Sequence, residues 1–249
     1  MSGLRIGARV LALLAWLGFC LPAHGLWRVA GHRSPWPPRF LGGVARIFGA
    51  RVWRDGPPVC GPALLLANHQ SWLDILVLGG AVGARFVSKD EVNRWPAVGF
   101  LARLNRTLFI SRENKGSVLA QAEQLRAALG DPQPMALFPE GTTSDGRQVL
   151  PFRPSLLAAA CPPPPGLQVL PVAVDYGAAT DEIAWHGDEP ALANLKRVLG
   201  RRGTFPVRVI VLPALPPTVD RKALARAAHD AVAQVVLRRA GPAHIADHA

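Results

Sequence analysis

From Gly56 onward, short apolar runs of strand length alternate with segments of helical period. Residues 63–67 read Ala-Leu-Leu-Leu-Ala, a run too short for a stable helix and suited to a strand buried on both faces. Residues 85–88, 107–111, 135–138, 169–174 and 207–212 read as further strands. Residues 72–78, 96–104, 118–129, 152–160 and 219–239 read as helices, the last stopped by Gly241-Pro242. Such alternation requires an α/β fold with a mixed, largely buried sheet flanked by helices. Residues 177–205 are rich in turn formers and show no clear period. A chain of 249 residues can bury a full core without covalent staples. Its three cysteines, Cys20, Cys60 and Cys161, have neither a disulfide framework's spacing nor a metal site's.

The charge is unevenly placed. Residues 1–54 hold eight arginines and no acidic residue, whereas the rest of the chain is nearly balanced. Four of the seven tryptophans, Trp16, Trp27, Trp36 and Trp53, share that segment. Arginine and tryptophan around apolar sequence are what a bilayer interface selects. A segment so basic is drawn to an anionic leaflet. The expected location is the cytoplasmic face of the inner membrane, with membrane lipids as partners. Nucleic acid is not an expected partner, because the sequence between the arginines is apolar.

Residues 10–21 are uninterrupted and apolar, but twelve helical residues reach only about 18 Å of a hydrocarbon core of about 30 Å. Pro22, His24 and Gly25 interrupt any extension to Trp27, which favours a re-entrant or interfacial helix over a span. A signal peptide is the other reading, with Arg5 and Arg9 before the apolar stretch. After a proline-rich turn at 34–38, Leu41, Val44, Phe48 and Val52 recur at helical spacing, with Arg39, Arg46 and Arg54 elsewhere on the wheel. This describes a basic amphipathic helix for the headgroup plane. The expected organisation is a membrane-associating helical pair over 1–55 and a second domain over 56–249.

Two loops that follow buried strands carry the chemistry. Asn68-His69-Gln70-Ser71-Trp72-Leu73-Asp74 puts a histidine at a strand end with a carboxylate five residues on. Histidine titrates near neutrality and can act as a general base. A carboxylate on one ring nitrogen fixes the tautomer and leaves the other nitrogen to take a proton. The same Ser71-x-x-Asp74 spacing is also a helix-capping pattern that needs no catalysis. The second loop, Phe138-Pro139-Glu140-Gly141-Thr142-Thr143-Ser144, brings a carboxylate, a glycine and three hydroxyls to the same rim. Backbone N–H groups beside such a glycine can cradle a phosphate or an oxyanion.

Taken with two further segments, these loops resemble the motifs of the glycerolipid acyltransferases typified by 1-acyl-glycerol-3-phosphate acyltransferase. The motifs run in order from Asn68 to about Val174: N-H-x-x-x-x-D at 68–74, G-x-x-F-I-x-R ending at Arg112, F-P-E-G-T-R-S at 138–144, and a proline-bearing apolar strand at 169–172. The resemblance implies that His69 is the general base and that Asp74 orients it. It implies that Glu140 and Gly141 hold the acceptor and that Arg112 meets an anionic head group. The donor would be an acyl thioester of acyl-carrier protein or coenzyme A, with no cofactor and no metal.

Two positions depart from the family pattern. Arg106 stands where the second motif usually has glycine, and Thr143 where the third usually has arginine. That missing arginine weakens a phosphate acceptor unless Arg106, Lys115 or Arg153 substitutes. With Arg106 and Arg112 on one strand face, six residues apart, the first expectation is lysophosphatidate as acceptor. The F-P-E-G-T-T-S form also resembles lyso-ornithine-lipid acyltransferases, which makes that lipid the alternative. A non-catalytic lipid carrier and a thioester hydrolase are the readings from other classes.

Overall fold

The computed structural model describes residues 2–110 and 118–240. Helix α1 runs unbroken over Ser2–Val29, with Pro22 inside it. The expected interruption at Pro22 does not occur. Twenty-eight residues at 1.5 Å each give about 42 Å, enough to cross the hydrocarbon of a bilayer. A proline removes one donor, and an otherwise continuous apolar helix tolerates that loss. Leu11, Leu14, Phe19, Leu26 and Trp27 line an exposed side, while Ile6, Leu13 and Trp16 pack against the core. Near its N-terminus, Arg5 and Arg9 donate to the carbonyls of Val198, Leu199 and Gly200. These carbonyls close helix α8 (Ala191–Gly200), where terminal acceptors and the helix dipole favour cations.

Helix α2 covers Trp36–Ile47 and buries Val44 and Ala45. It crosses α1 closely: the Trp16 indole N–H donates to the Phe40 carbonyl at 3.2 Å. A Cβ on Gly43 would stand 2.2 Å from that indole. On its other side, α2 meets α3 (Leu73–Val82) backbone to backbone. A Cβ on Gly80 would stand 2.5 Å from the Gly42 Cα.

The helical spacing read through Val52 ends early. Gly49 takes φ +98° in a turn that packs on the Gly203 carbonyl, and residues Ala50–Asp55 form strand β1. Only glycine enters that backbone region without strain. Residues 50–55 therefore belong to the sheet and not to the helical pair.

Seven strands form one sheet in the order β1-β7-β6-β2-β5-β3-β4. They are β2 (Ala63–Ala67), β3 (Arg85–Lys89), β4 (Leu108–Ile110), β5 (Met135–Leu137), β6 (Gln168–Asp175) and β7 (Phe205–Val211) beside β1. Neighbours are parallel except β6 and β7. β2 lies centrally, and its side chains split by the two-residue period of a strand. Ala63, Leu65 and Ala67 enter the core under α2 and α3. Leu64 and Leu66 enter the opposite core under α6 (Val118–Leu129) and α9 (Arg221–Ala240).

Most remaining expectations match within a few residues, including α5 at Pro96–Leu104. The stretch expected as a helix at 152–160 is a 3₁₀ helix over Pro154–Ala160. The unreadable 177–205 stretch holds a 3₁₀ turn at Gly177–Ala179, the short helix α7 (Thr180–Ile183) and α8. The loops after β2, β5 and β6 emerge at the carboxyl ends of adjacent parallel strands, the usual ligand crevice of such sheets.

Candidate active site

The first loop is locked to the strand beside it. The Asn68 side chain accepts from the Val174 N–H at 2.7 Å and donates to the Val174 carbonyl at 3.0 Å. It thus extends the β2–β6 pairing by one residue. The Gln70 amide donates to the same carbonyl at 2.8 Å, and the Gln70 carbonyl accepts from the Trp185 N–H at 2.8 Å.

His69, fixed between these two anchors, stacks its ring on Phe138 with centroids 4.0 Å apart. Its Nδ1 lies 2.8 Å from Oδ2 of Asp74. A carboxylate in that position accepts, so Nδ1 carries the proton and Nε2 presents a lone pair. Nε2 has no partner among the described residues, and the side chain is 18% exposed. This is the geometry of a base that is held on one side and open on the other.

Asp74 is completely buried. Besides His69, its Oδ2 accepts from the backbone N–H groups of Gln70 (2.8 Å) and Ser71 (2.9 Å). Oδ1 accepts from the Tyr176 hydroxyl at 2.6 Å. The Leu73 N–H donates to Ser71 Oγ at 3.3 Å. One carboxylate therefore braces the two N–H groups that precede α3 and contacts the histidine, while the helix itself has no side-chain cap.

Tyr176 is the residue that sequence reasoning missed. It is the only tyrosine in the chain and it follows directly on β6. Complete burial, then the charge of Asp74 and the hydrogen bond to it, push its hydroxyl well above the usual tyrosine range, so it remains a donor. The available signal was a lone tyrosine at the end of the apolar strand in the fourth motif.

Glu140 is 2% exposed. Its Oε1 accepts from the His69 N–H at 2.7 Å and its Oε2 from the Leu150 N–H at 3.1 Å. Both oxygens are thus engaged by backbone donors. This corrects the expectation that Glu140 meets the acceptor: it clamps the His69 loop to the loop after β5. Burial pushes its carboxyl up to about 7, against the two backbone hydrogen bonds that pull it down. Ser144 adds a second clamp, with its N–H donating to the His69 carbonyl at 2.9 Å.

Gly141 turns the chain at φ +75°, and its N–H donates to the Phe138 carbonyl. Thr142 is exposed and Thr143 half-buried. Their backbone N–H groups have no acceptor among the described residues.

Arg106 is not at this rim. It precedes β4, whereas His69 follows β2, and these strands share one direction in the sheet. The two residues thus lie at opposite ends. Arg106 sits at φ 60° and pairs with Asp131 at 2.6 Å, beside Arg33 on the same carboxylate at 3.3 Å. The expectation that Arg106 binds substrate alongside Arg112 is corrected: Arg106 lies in the turn before the strand, so strand periodicity does not govern it. Arg112 and Lys115 lie outside the described residues.

Comparison with known proteins agrees with this geometry. The family model described as Acyltransferase matches residues 54–175. The chain is 38% identical over 250 residues to a lyso-ornithine lipid O-acyltransferase of Rhodobacter capsulatus, covering 92% of this chain and 87% of that one. It is 32% identical over 133 residues to a 1-acyl-sn-glycerol-3-phosphate acyltransferase of Neisseria gonorrhoeae, covering 53% and 51%. Its fold is similar to the crystal structure of the 1-acyl-sn-glycerophosphate acyltransferase PlsC of Thermotoga maritima. That match has a TM-score of 0.64 and 21% identity, over 98% of this chain and all of the other. With the first and third motif loops meeting at the carboxyl ends of β2 and β5 and a relative of this identity matched over nearly its full length, the chain belongs to the acyltransferase family, as a member of the lysolipid type.

Proposed function

We propose that the protein is a lyso-ornithine lipid O-acyltransferase. His69 Nε2 removes the proton from the acceptor's hydroxyl, and that oxygen attacks the carbonyl carbon of an acyl thioester. The carbonyl oxygen becomes an oxyanion, for which the Thr142 and Thr143 N–H groups are the candidate donors. When the oxyanion collapses, the C–S bond breaks, the ester remains and the thiolate takes the proton held by His69. Asp74 stabilises the imidazolium between these steps. The proposed donor is acyl-carrier protein or coenzyme A in thioester linkage, and the route uses no metal or cofactor. The observation that carries this chemistry is the His69–Asp74 contact at 2.8 Å, with Nε2 left open.

The acceptor reading reverses the order expected from sequence. The first expectation rested on Arg106 beside Arg112, and Arg106 is committed to Asp131 at the far end of the sheet. Thr143 brings a hydroxyl and no charge. The greater identity and coverage of the Rhodobacter relative favour the ornithine lipid. Lysophosphatidate stays as the second reading on the strength of the Neisseria relative. The exposed apolar side of α1 and the eight arginines of residues 1–54 support attachment at the cytoplasmic face of the inner membrane.

The test is acyl transfer by the purified protein from a labelled acyl thioester to lyso-ornithine lipid and to lysophosphatidate. Turnover on the ornithine lipid is expected to dominate. Turnover on lysophosphatidate alone would establish the second reading.

A further inference from the structure

Arg153 is built into the wall of the loop after β5. Its backbone N–H donates to the Pro139 carbonyl at 2.9 Å, and its own carbonyl accepts from the Leu156 N–H at 3.1 Å. The guanidinium lies across Gly141: a Cβ there would stand 3.1 Å from Cζ and Nε and 3.2 Å from Nη1. Arg153 is exposed.

Several arginines of the domain have carboxylate partners, among them Arg147–Asp181, Arg197–Glu189, Arg208–Asp55 and Arg106–Asp131. The Arg153 guanidinium has neither an ion pair nor a hydrogen bond among the described residues. A full charge is thus held next to the clamp of the general base with no counter-charge from the protein. Two residues from Gly141, Thr143 supplies no charge of its own.

We infer that Arg153 binds the carboxylate of the acceptor's head group and sets the preference for an amino-acid lipid. The inference rests on the proposed acceptor, since an ornithine head group keeps a free carboxylate beside its ammonium. One guanidinium matches one planar monoanion in two parallel hydrogen bonds. A phosphate carrying up to two charges would leave half of its charge unmet. Arg147, in the same loop, is already paired with Asp181 at 3.4 Å. The close approach of the guanidinium to Gly141 fixes where the head group must lie relative to His69.

The experiment compares wild type, Arg153→Ala and Arg153→Lys on lyso-ornithine lipid and on its carboxamide analogue, with lysophosphatidate as a third acceptor. Loss of a charged contact predicts a KM for lyso-ornithine lipid raised about tenfold to a hundredfold in Arg153→Ala. Turnover at saturation should be little changed, because the contact is made equally in ground and transition states. Arg153→Lys should recover part of the loss. Wild type should bind the carboxamide as poorly as Arg153→Ala binds the acid, and Arg153→Ala should lose nothing further on the carboxamide.

An unchanged KM in a folded Arg153→Ala protein overturns the inference, as does an equal loss on acid and carboxamide. Wild type that uses lysophosphatidate and ignores lyso-ornithine lipid overturns the proposed acceptor and the carboxylate contact with it. Wild-type turnover of lyso-ornithine lipid without any Arg153 effect removes this inference alone.

Discussion

The Tyr176 hydroxyl stands 2.6 Å from Oδ1 of Asp74, so the carboxylate that orients His69 is itself held from the end of β6. Tyr176→Phe keeps the ring and removes only that donor. A buried carboxylate oxygen then loses its partner, at a cost of about 1–3 kcal/mol in stability. Turnover should fall, by less than when His69 is removed. Thermal unfolding and kcat on the same preparation measure both effects. A variant with the wild-type melting temperature and kcat would show that the bond contributes nothing.

His69→Ala should lower turnover by about 10²–10⁴-fold, the usual contribution of a general base. Its side chain reaches the rim, so melting should change little. Asp74→Asn should behave differently, because one buried carboxylate accepts from the Gln70 and Ser71 N–H groups, from Tyr176 and from the histidine. Stability should drop by about 1–3 kcal/mol as buried donors lose a charged acceptor, and turnover should fall steeply as well. Intact turnover per folded molecule in Asp74→Asn would exclude the orienting role.

Glu140 makes a prediction about pH. Its carboxyl is raised from an ordinary 4.5 to about 7, so the folded protein holds a proton there that the unfolded chain has released. Stability from this group is complete below 4.5 and declines as pH rises towards about 7. Activity runs the other way, since both backbone donors need an ionised acceptor on each oxygen. An acid limb in the pH–rate profile should therefore lie near 7. Glu140→Gln should flatten the stability slope between those values and lower turnover on the alkaline side. Melting temperature and initial rate across pH 4–8, for both proteins, check the two signs. A stability slope identical in the variant would remove Glu140 as its source.

Truncation should distinguish α1 from α2. Deleting residues 2–33 removes the long exposed helix and should move protein from the membrane to the soluble fraction. It should lower the melting temperature through loss of the Trp16 and Arg9 contacts while keeping one cooperative transition. Deleting residues 2–54 also removes Val44, Ala45, Phe48 and strand β1, which are core. That protein should not fold. Fractionation and melting curves decide, and cooperative unfolding of the longer deletion would show that α2 is dispensable.

The sequence made the chemistry legible because it is local. His69 and Asp74 lie five residues apart, and both loops follow apolar strands whose composition leaves them no other place than the sheet interior. The strand β2 was readable to the residue for the same reason. Helix α1 was read too short because a proline is a strong breaker in water and a weak one in a continuous apolar helix. Val52 was read onto a helix because a glycine turn inside a periodic pattern leaves the period apparently intact. Tyr176 was hidden for another reason: it reaches Asp74 across 102 positions. Arg106 was misplaced because strand alternation says nothing about a residue in the preceding turn.

The close approach of Gly42 and Gly80 has a consequence for how substrate arrives. α2 and α3 touch through their backbones, and α3 begins one residue before Asp74. The anchor and the base are thus parts of one rigid piece, with no tether between them. The catalytic rim then stands at a set height and tilt above the leaflet. A lipid acceptor can reach it by sliding sideways within its own monolayer, a search in two dimensions. The acyl thioester proposed as donor would arrive from the aqueous side, in three. A larger side chain at Gly80 would meet the Gly42 backbone and push α3, with Asp74 on it, away from α2.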